Sequence, residues 1–327
     1  MPKCPLASIV IPTRNRSRML ARTLATLAQQ SVAGTFEVVV VDNGSTDDTL
    51  ATLEDARRDY PMLQLRWTHE DRKGPGAARN RGLMQARGDI VLFTDDDCLP
   101  EHEWVEVIVN TFSTQPDLVG VEGLTYTYVD FLSPFLHFPA NDGGVYPTCN
   151  IGYRASTVRA VGGFDTAAFP DCSAEDVDLG YRVMEKGPIA YQPAARVFHP
   201  PRTVDFWWQV ERGRFLIRDD LCLRRRHAGR YGKVHTLTTG TDMPVRSDGE
   251  PLCITSLDVK TARNLLFHAD LIRRPALYVR YVAMLALRTS WAMWLMPWSL
   301  CHVYRHRDPH RLPPLPEPLA AREPNER

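Results

Sequence analysis

Three consecutive aspartates follow a short apolar run in the N-terminal half of the chain. The run Ile90 to Phe93 is typical of a buried strand. The triplet Asp95, Asp96 and Asp97 therefore stands where the chain leaves the predicted sheet, at an edge where open α/β sheets bind ligands. Three neighbouring anions are costly unless a cation neutralises them. A divalent cation that carries a phosphate-bearing substrate is the simplest candidate, and a solvated acidic turn is the alternative.

The spacing within the triplet separates its members. Residues two apart on an extended chain face the same side, so we expect Asp95 and Asp97 to act together while Asp96 points elsewhere. An Asp-x-Asp pair suits an oxygen-preferring cation such as Mg²⁺ or Mn²⁺ that bridges a diphosphate. The pair alone does not decide between a metal site and an acidic turn.

Hydrophobic periodicity predicts the elements that must position these carboxylates. From about Ala7 to Asp97, short apolar strands alternate with amphipathic helices, which indicates βαβ units and a mostly parallel sheet. The predicted strands are Ser8 to Ile11, Phe36 to Val41, Leu63 to Trp67 and Ile90 to Phe93. Helix starts are predicted at Ser17, at a capping box of Ser45 and Asp48, at Gly76, and at Ser173 to Asp176.

Composition limits the classes of function. With 327 residues and 44% hydrophobic content, the chain can form one large domain plus an extension. Lys+Arg and Asp+Glu both total 39, so no overall basic field favours a nucleic-acid partner. The seven cysteines contain no Cys-x-x-Cys pair, which argues against a disulfide framework or zinc site and favours a reducing compartment. The apolar stretch Leu6 to Ile11 is too short for a signal-peptide core, so we expect a cytoplasmic protein.

Two common phosphate-binding motifs are missing from the sequence. A dinucleotide fold needs Gly-x-Gly-x-x-Gly after the first strand, yet the first glycine is Gly34. The stretch Gly229 to Lys233 has the wrong spacing for a P-loop and is followed by Val234 in place of Ser or Thr. Phosphates must therefore be held by other groups.

Several short blocks resemble family 2 inverting glycosyltransferases with the GT-A fold, over roughly residues 7 to 230. The blocks are Ser8 to Asn15, Val40 to Asp47, Gly76 to Gly82, the aspartate triplet, Gly162 to Asp165 and Glu175 to Leu179. Their joint occurrence in the order of the family carries the resemblance. It implies an α/β fold of the GT-A type: a Rossmann-like, mostly parallel sheet flanked by helices, with a helical C-terminal extension.

The resemblance also implies a nucleotide site and a metal site. The nucleotide-binding candidates are Pro12, Thr13, Arg14, Asp42, Arg79, Asp95 and Asp96, and the ligands expected for Mn²⁺ or Mg²⁺ are Asp97, Asp95 and His199. Three of these residues have ordinary alternatives. Asp42 also fits an Asx turn with Asn43 and Gly44, Arg79 an exposed helix charge, and His199 a structural histidine.

Inverting transfer needs a carboxylate that takes the proton from the acceptor hydroxyl as it attacks. The family's acidic pair near a helix start maps onto Glu175 and Asp176, with Asp176 as the general base and Glu175 as a contact to the acceptor. Ser173 and Asp176 also have the capping-box spacing, so capping is the alternative. The expected acceptor and sugar pocket includes Asn150, Arg154 and Arg212, for which a polar strand end and a charged helix face are the alternatives.

Three regions are predicted along the chain. Residues 1–203 form the nucleotide-sugar-binding and catalytic domain, 204–307 a helical, aromatic and basic extension with acceptor, dimer or membrane-surface contacts, and 308–327 a Pro-rich disordered tail. Within the extension, 277–304 is interpreted as a helix on the cytoplasmic face of a membrane, a packed or dimer-forming helix, or a spanning helix. Gln209 to Gly213 resembles the Gln-x-x-Arg-Trp motif of processive synthases, but Gly213 replaces the Trp, which favours transfer of single sugars.

The sequence therefore predicts a metal-dependent inverting glycosyltransferase. It would move a sugar from a UDP, GDP or dTDP donor to a hydroxyl of a saccharide or lipid-linked acceptor, in polysaccharide biosynthesis of the cell envelope. The alternatives are a nucleotidyltransferase, which would show a glycine-rich basic loop after the first strand, and a non-catalytic protein that binds sugar nucleotides.

Overall fold

The computed structural model describes most of the first 204 residues and a few beyond them. The described residues are 5–32, 36–128, 136–137, 139–141, 143–171, 174–204, 219, 222–223 and 225–227. Their strands are β1 (Ala7–Thr13), β2 (Phe36–Asp42), β3 (Gln64–His69), β4 (Ile90–Phe93), β5 (Leu99–Pro100), β6 (Gly120–Tyr126), β7 (Leu136–His137), β8 (Ile151–Arg154), β9 (Ile189–Phe198) and β10 (Arg202–Thr203). Their helices are α1 (Ser17–Ala28), α2 (Thr49–Asp59), α3 (Pro75–Gln85), α4 (Trp104–Thr114), α5 (Ala155–Ala160) and α6 (Glu175–Met184).

One mixed sheet organises this part of the chain. Within the described residues it has eight strands in the order β3-β2-β1-β4-β8-β6-β9-β5. The first four strands run parallel, β8 runs antiparallel to β4 and β6, and β6 is parallel to β9. The α/β fold predicted from the sequence is confirmed.

The strand order predicts where a ligand-binding crevice lies. The chain moves outward from β1 to β2 and β3, then crosses back to place β4 on the other side of β1. Such a reversal opens a crevice outside the carboxyl ends of the two central strands. The residues that follow β1 and β4 are therefore brought to the same edge, although about 80 residues separate them in the sequence.

Burial explains why the central strands are continuous apolar runs. Every residue of β2 and β4 is buried, because helices cover both faces of this half of the sheet. On α1, Leu20, Leu24 and Leu27 form the expected stripe and are fully buried. On α3, Gly82 permits close packing against β1, since a Cβ there would clash with the Val10 side chain.

One predicted helix start is wrong. The second helix begins at Thr49 with Asp48 at the N-cap, three residues after the predicted Ser45. The Ser45 hydroxyl instead accepts a hydrogen bond of 2.9 Å from the backbone amide of Asn15. Helix α1 begins at Ser17 as predicted, with Arg16 at its N-cap. The loops after β1 and β2 bind each other, and this long-range pairing takes the groups that a local capping box would have used.

The predicted extension lies largely outside the described residues, as does the tail 308–327. The described part of it packs on α6 and on the loop before this helix. His227 Nε2 lies 3.0 Å from Asp178 Oδ1 of α6, and Arg226 pairs with Asp165 of the loop at 2.6 Å. Residues 277–304 and Arg212 fall outside the described ranges. In the described ranges, no helix is long and apolar enough to cross a membrane.

Candidate active site

A cavity of about 530 Å³ opens at the carboxyl ends of β1 and β4. Its wall includes Thr13 and Arg16 from the loop after β1, all three aspartates of the triplet, Asp176 from the start of α6, and His199 from the end of β9. The predicted metal ligands and the predicted base therefore face one space. This convergence follows from the crossover, since each group follows or precedes an element that ends at the same edge.

The triplet turns sharply after β4. The amide of Cys98 donates to the carbonyl of Asp95 at 3.2 Å, which closes a turn. The turn brings the ligand atoms of Asp95, Asp97, Cys98 and His199 within 4.8 Å of one another. Asp95 and Asp97 thus share a side as the sequence predicts, but a turn causes this rather than the alternation of an extended strand.

Asp96 is buried between the two loops. Its carboxylate accepts the Thr13 hydroxyl at 2.8 Å and an Arg16 nitrogen at 3.0 Å. The same Arg16 nitrogen lies 2.7 Å from Asp97 Oδ2. Burial raises the pKa of Asp96 to about 7, even though the Arg16 charge opposes the shift. Asp96 therefore anchors the triplet to the β1 loop.

Asp97 and His199 face each other across the candidate cation site. Burial alone would raise the pKa of Asp97, but His199 and Arg16 hold it below its ordinary value. His199 Nε2 is 3.5 Å from Asp97 Oδ1, and Nδ1 is 3.0 Å from the carbonyl of Pro200. With the Nδ1 proton donated to Pro200, loss of the Nε2 proton would leave a lone pair on Nε2 for a cation. The two carboxylates suit Mn²⁺ or Mg²⁺, and the imidazole nitrogen favours Mn²⁺, the softer of the two ions.

Arg79 and Glu175 form a buried network beneath the cavity. Arg79 is 2% exposed and pairs with Asp95 at 2.7 Å and with Glu175 at 3.0 Å. Arg79 reaches the cavity wall, but its guanidinium is already engaged by two carboxylates. Glu175 is buried and outside the cavity lining, contrary to the expected contact with the acceptor. A buried carboxylate needs a cation, and Arg79 supplies it.

Asp176 lies in the first turn of α6 and lines the cavity. Burial and the adjacent Glu175 charge raise the pKa of Asp176 to about 7, while Arg79 opposes the shift. Ala174 occupies the N-cap, so Asp176 is not in the position that the capping alternative requires. Ser173, the other member of that capping box, lies outside the described residues. A carboxyl group with this pKa can accept a proton near neutral pH.

The nucleotide candidates divide into two groups. Pro12, Thr13 and Arg14 line the cavity. Asp42 is buried at the end of β2, outside the lining, and its neighbour Asn43 reaches the wall instead. Asp42 Oδ1 accepts the amide of Ser45 at 2.9 Å, which agrees with the turn alternative.

Asn150 and Arg154 belong to the scaffold rather than to the expected sugar pocket. Asn150 is fully buried, accepts Trp104 Nε1 at 2.8 Å and donates to the carbonyls of Leu124 and Ala195. Arg154, at the far end of β8, donates to the carbonyls of Leu118 and Pro116. Neither residue lines the cavity, because β8 runs antiparallel to β4 and carries Arg154 away from the site.

We expect Asn150→Ala to lower stability without weakening donor binding. The change leaves the Trp104 indole and two buried carbonyls without partners, which costs about 3 kcal/mol. Thermal unfolding followed by circular dichroism measures the loss, and Asn110→Ala on the exposed face of α4 serves as the control. If the variant had a normal melting temperature but a weakened nucleotide affinity, Asn150 would be a binding residue and the prediction would be wrong.

Two arginines of the cavity wall were not predicted from the sequence. Arg16 bridges Asp96 and Asp97, and Arg202, at the start of β10, lowers the pKa of Asp97 by its charge. The available signal was chemical: three adjacent carboxylates require cations, and Arg16 directly precedes α1 on a loop expected at the same edge.

Residues 8–160 match the family described as Glycosyl transferase family 2. Over this stretch, 153 of the 327 residues, the chain is similar to that family. Among the relatives of the chain is the pre-mycofactocin glycosyltransferase of Mycobacterium tuberculosis (strain CDC 1551 / Oshkosh), which is 32% identical over 219 residues. The match covers 60% of this chain and 43% of that protein, so the chain spans less than half of the relative's length.

Solved structures agree with the family and the fold. S. aureus TarS 1-349 in complex with UDP gives a TM-score of 0.50 at 25% identity, covering 66% of this chain and 65% of that one. The mannosyltransferase PcManGT from Pyrobaculum calidifontis in complex with GDP-Man and Mn²⁺ gives 0.56 at 18% identity, covering 93% and 89%. These likenesses confirm the GT-A type of α/β fold for the chain.

Proposed function

We propose that the chain is an inverting glycosyltransferase that moves a sugar from a nucleoside-diphosphate donor to a hydroxyl of a saccharide or lipid-linked acceptor. The proposal depends on a divalent cation, Mn²⁺ or Mg²⁺, and on Asp176 as the general base. The observation that carries it is the shared cavity, whose wall combines Asp95, Asp97 and His199 with a carboxyl group tuned to neutral pH.

Asp95, Asp97 and His199 are the residues that would hold the cation. When bound, a divalent cation offsets the negative charge that develops on the leaving diphosphate. Arg16 and Arg202 add positive charge at the same wall and favour a diphosphate there. Pro12 and Thr13 at the end of β1, together with Arg14, bound the side of the cavity where the nucleoside would lie.

Asp176 supplies the acceptor side of the reaction. The carboxylate takes the proton of the acceptor hydroxyl while the hydroxyl oxygen attacks the anomeric carbon and the diphosphate leaves from the opposite face. A base with a pKa of about 7 is largely deprotonated just above neutral pH and is still strong enough to accept the proton. Its place at the start of α6 fixes its direction, because Glu175 next to it is held by Arg79.

The relatives support the donor class. TarS 1-349 was solved with UDP, and the M. tuberculosis relative is named a glycosyltransferase. We therefore place UDP first among the three nucleotides, ahead of GDP and dTDP. We propose the cytoplasm as the setting, with residues 204–307 contacting the acceptor, a second copy of the chain or the membrane surface, and polysaccharide biosynthesis of the cell envelope as the context.

Calorimetric titration with UDP, GDP and dTDP, each with and without Mn²⁺, tests the proposal. We expect one nucleotide to bind, and to bind at least about tenfold more tightly with Mn²⁺, because a cation held by Asp95, Asp97 and His199 would offset the charge of the diphosphate. The matching nucleoside serves as the control, since without a diphosphate it gains nothing from Mn²⁺. Failure of all three nucleotides to bind under either condition would refute the donor class.

A further inference from the structure

A chain of ion pairs runs beneath the cavity floor from the triplet to the start of α6. Arg79 donates one guanidinium nitrogen to Asp95 Oδ1 at 2.7 Å and another to Glu175 Oε1 at 3.0 Å. The side chains of Arg79 and Glu175 are 2% and 3% exposed, whereas that of Asp95 is 27% exposed at the cavity wall. One end of the chain therefore faces the cavity and the other is buried.

The three residues come from separate parts of the sequence. Asp95 follows β4, Arg79 lies in α3 and Glu175 opens α6, at separations of 16 and 96 residues. The guanidinium carbon of Arg79 also lies 5.8 Å from the centre of the Phe164 ring. A planar guanidinium held on three sides has little freedom to move, because breaking either buried pair leaves an uncompensated charge.

We propose that Arg79 is a positioning residue that ties the donor side of the cavity to the helix that carries the base. The proposal rests on the proposed function in the role that it gives Asp176. Because Glu175 directly precedes Asp176, the bond from Arg79 to Glu175 fixes the first turn of α6 and thus the base. A change in the charge of Asp95, on the donor side, therefore alters the titration of Asp176, on the acceptor side, through Arg79.

The charges around Asp176 give this link a measurable consequence. On its own helix Glu175 favours the protonated form of Asp176, and from α3 Arg79 opposes it. Tyr153 of β8 is buried near Asp176. Burial is the largest cause of its raised pKa, and the negative charges of Glu122 and Asp176 add to it. Arg79 and Glu175 thus act on Asp176 with opposite signs, so their variants must shift its titration in opposite directions.

Carbon-13 NMR of the aspartate carboxyl groups across pH tests the inference, with the Asp176 signal assigned by its loss in Asp176→Asn. We expect Glu175→Gln to lower the titration midpoint of Asp176 by at least about one pH unit, because a neighbouring negative charge is removed. We expect Arg79→Lys to raise it, because a lysine cannot bridge both carboxylates and leaves Glu175 less well neutralised.

Asp95→Asn tests transmission through Arg79. Loss of the Asp95 charge releases Arg79 to pair more fully with Glu175, so the Asp176 midpoint falls even though the change lies on the donor side. Arg66→Lys, which alters the separate Arg66–Glu37 pair, is the matched control and leaves the midpoint unchanged. Circular dichroism confirms that each variant is folded.

An unmoved Asp176 midpoint in folded Glu175→Gln and Arg79→Lys overturns the inference and leaves Arg79 as a structural residue. A shift in those two variants without one in Asp95→Asn overturns the link to the donor side. The titration needs no donor and no acceptor. Its failure is therefore distinct from failure of the proposed function, which nucleotide binding decides.

Discussion

Asp176→Asn is expected to lower the rate of sugar transfer by about 10³-fold and to leave nucleotide binding intact. The amide has nearly the shape of the carboxylate but cannot accept the acceptor's proton, and general-base catalysis contributes an effect of this size. Steady-state transfer with the donor identified by calorimetry gives the rate, and titration of the same nucleotide into the variant gives the affinity. Retained turnover would remove Asp176 from its role.

The pH dependence of the unmodified chain belongs to the same prediction. Because Asp176 is active when deprotonated and its pKa is raised to about 7, the rate should fall as the pH drops below 7 and level off above it. In Asp176→Asn the residual rate should no longer fall as the pH drops below 7, so this limb of the pH profile should be missing. Asp171→Asn, which makes the same change elsewhere on the cavity wall, is the matched control and should keep the limb.

Asp97→Asn is expected to weaken Mn²⁺ binding by at least about tenfold and to abolish transfer. The change removes the carboxylate that faces His199 on one oxygen and Arg16 on the other, so it takes away both a ligand and its charge. Electron paramagnetic resonance of free Mn²⁺ measures the affinity without any need for turnover.

Asp96→Asn is the control for this experiment. It makes the same change one residue away, in a carboxylate whose oxygens are held by Thr13 and Arg16. We expect its Mn²⁺ affinity to stay close to that of the unmodified chain. Equal losses in the two variants would mean that the triplet binds the cation as a diffuse charge, without assigned ligands.

Local patterns allowed the positions of the strands to be predicted. β4 was predicted with its observed bounds, and β1 and β2 were predicted within two residues at each end. A short apolar run that is buried on both faces is typical of a central strand, so the pattern alone locates it. The helix cap at Ser45 was misplaced, since the bond between Asn15 and Ser45 joins residues 30 positions apart. Short-range rules for helix caps carry no information about such a pairing.

Buried polar groups show the same limit. The type and spacing of Asn150 and Arg154 suggest a pocket, yet both bind backbone carbonyls of the scaffold. Glu175 was expected at the acceptor and is instead paired with Arg79 in the interior. Whether a polar side chain faces a ligand or satisfies a buried backbone group depends on neighbours that are distant in the sequence.

The sequence by itself predicted the α/β class and the aspartates that could bind a cation, while the family and the candidate base came from its resemblance to known glycosyltransferases. The first two follow from apolar periodicity and from the cost of adjacent charges, both of which are local properties. The tertiary structure alone decided that Asp97 faces His199, that Arg16 neutralises the triplet, and that Arg79 joins Asp95 to Glu175. The reason is the crossover that sets β4 beside β1, because only chain topology brings distant charges within hydrogen-bonding distance.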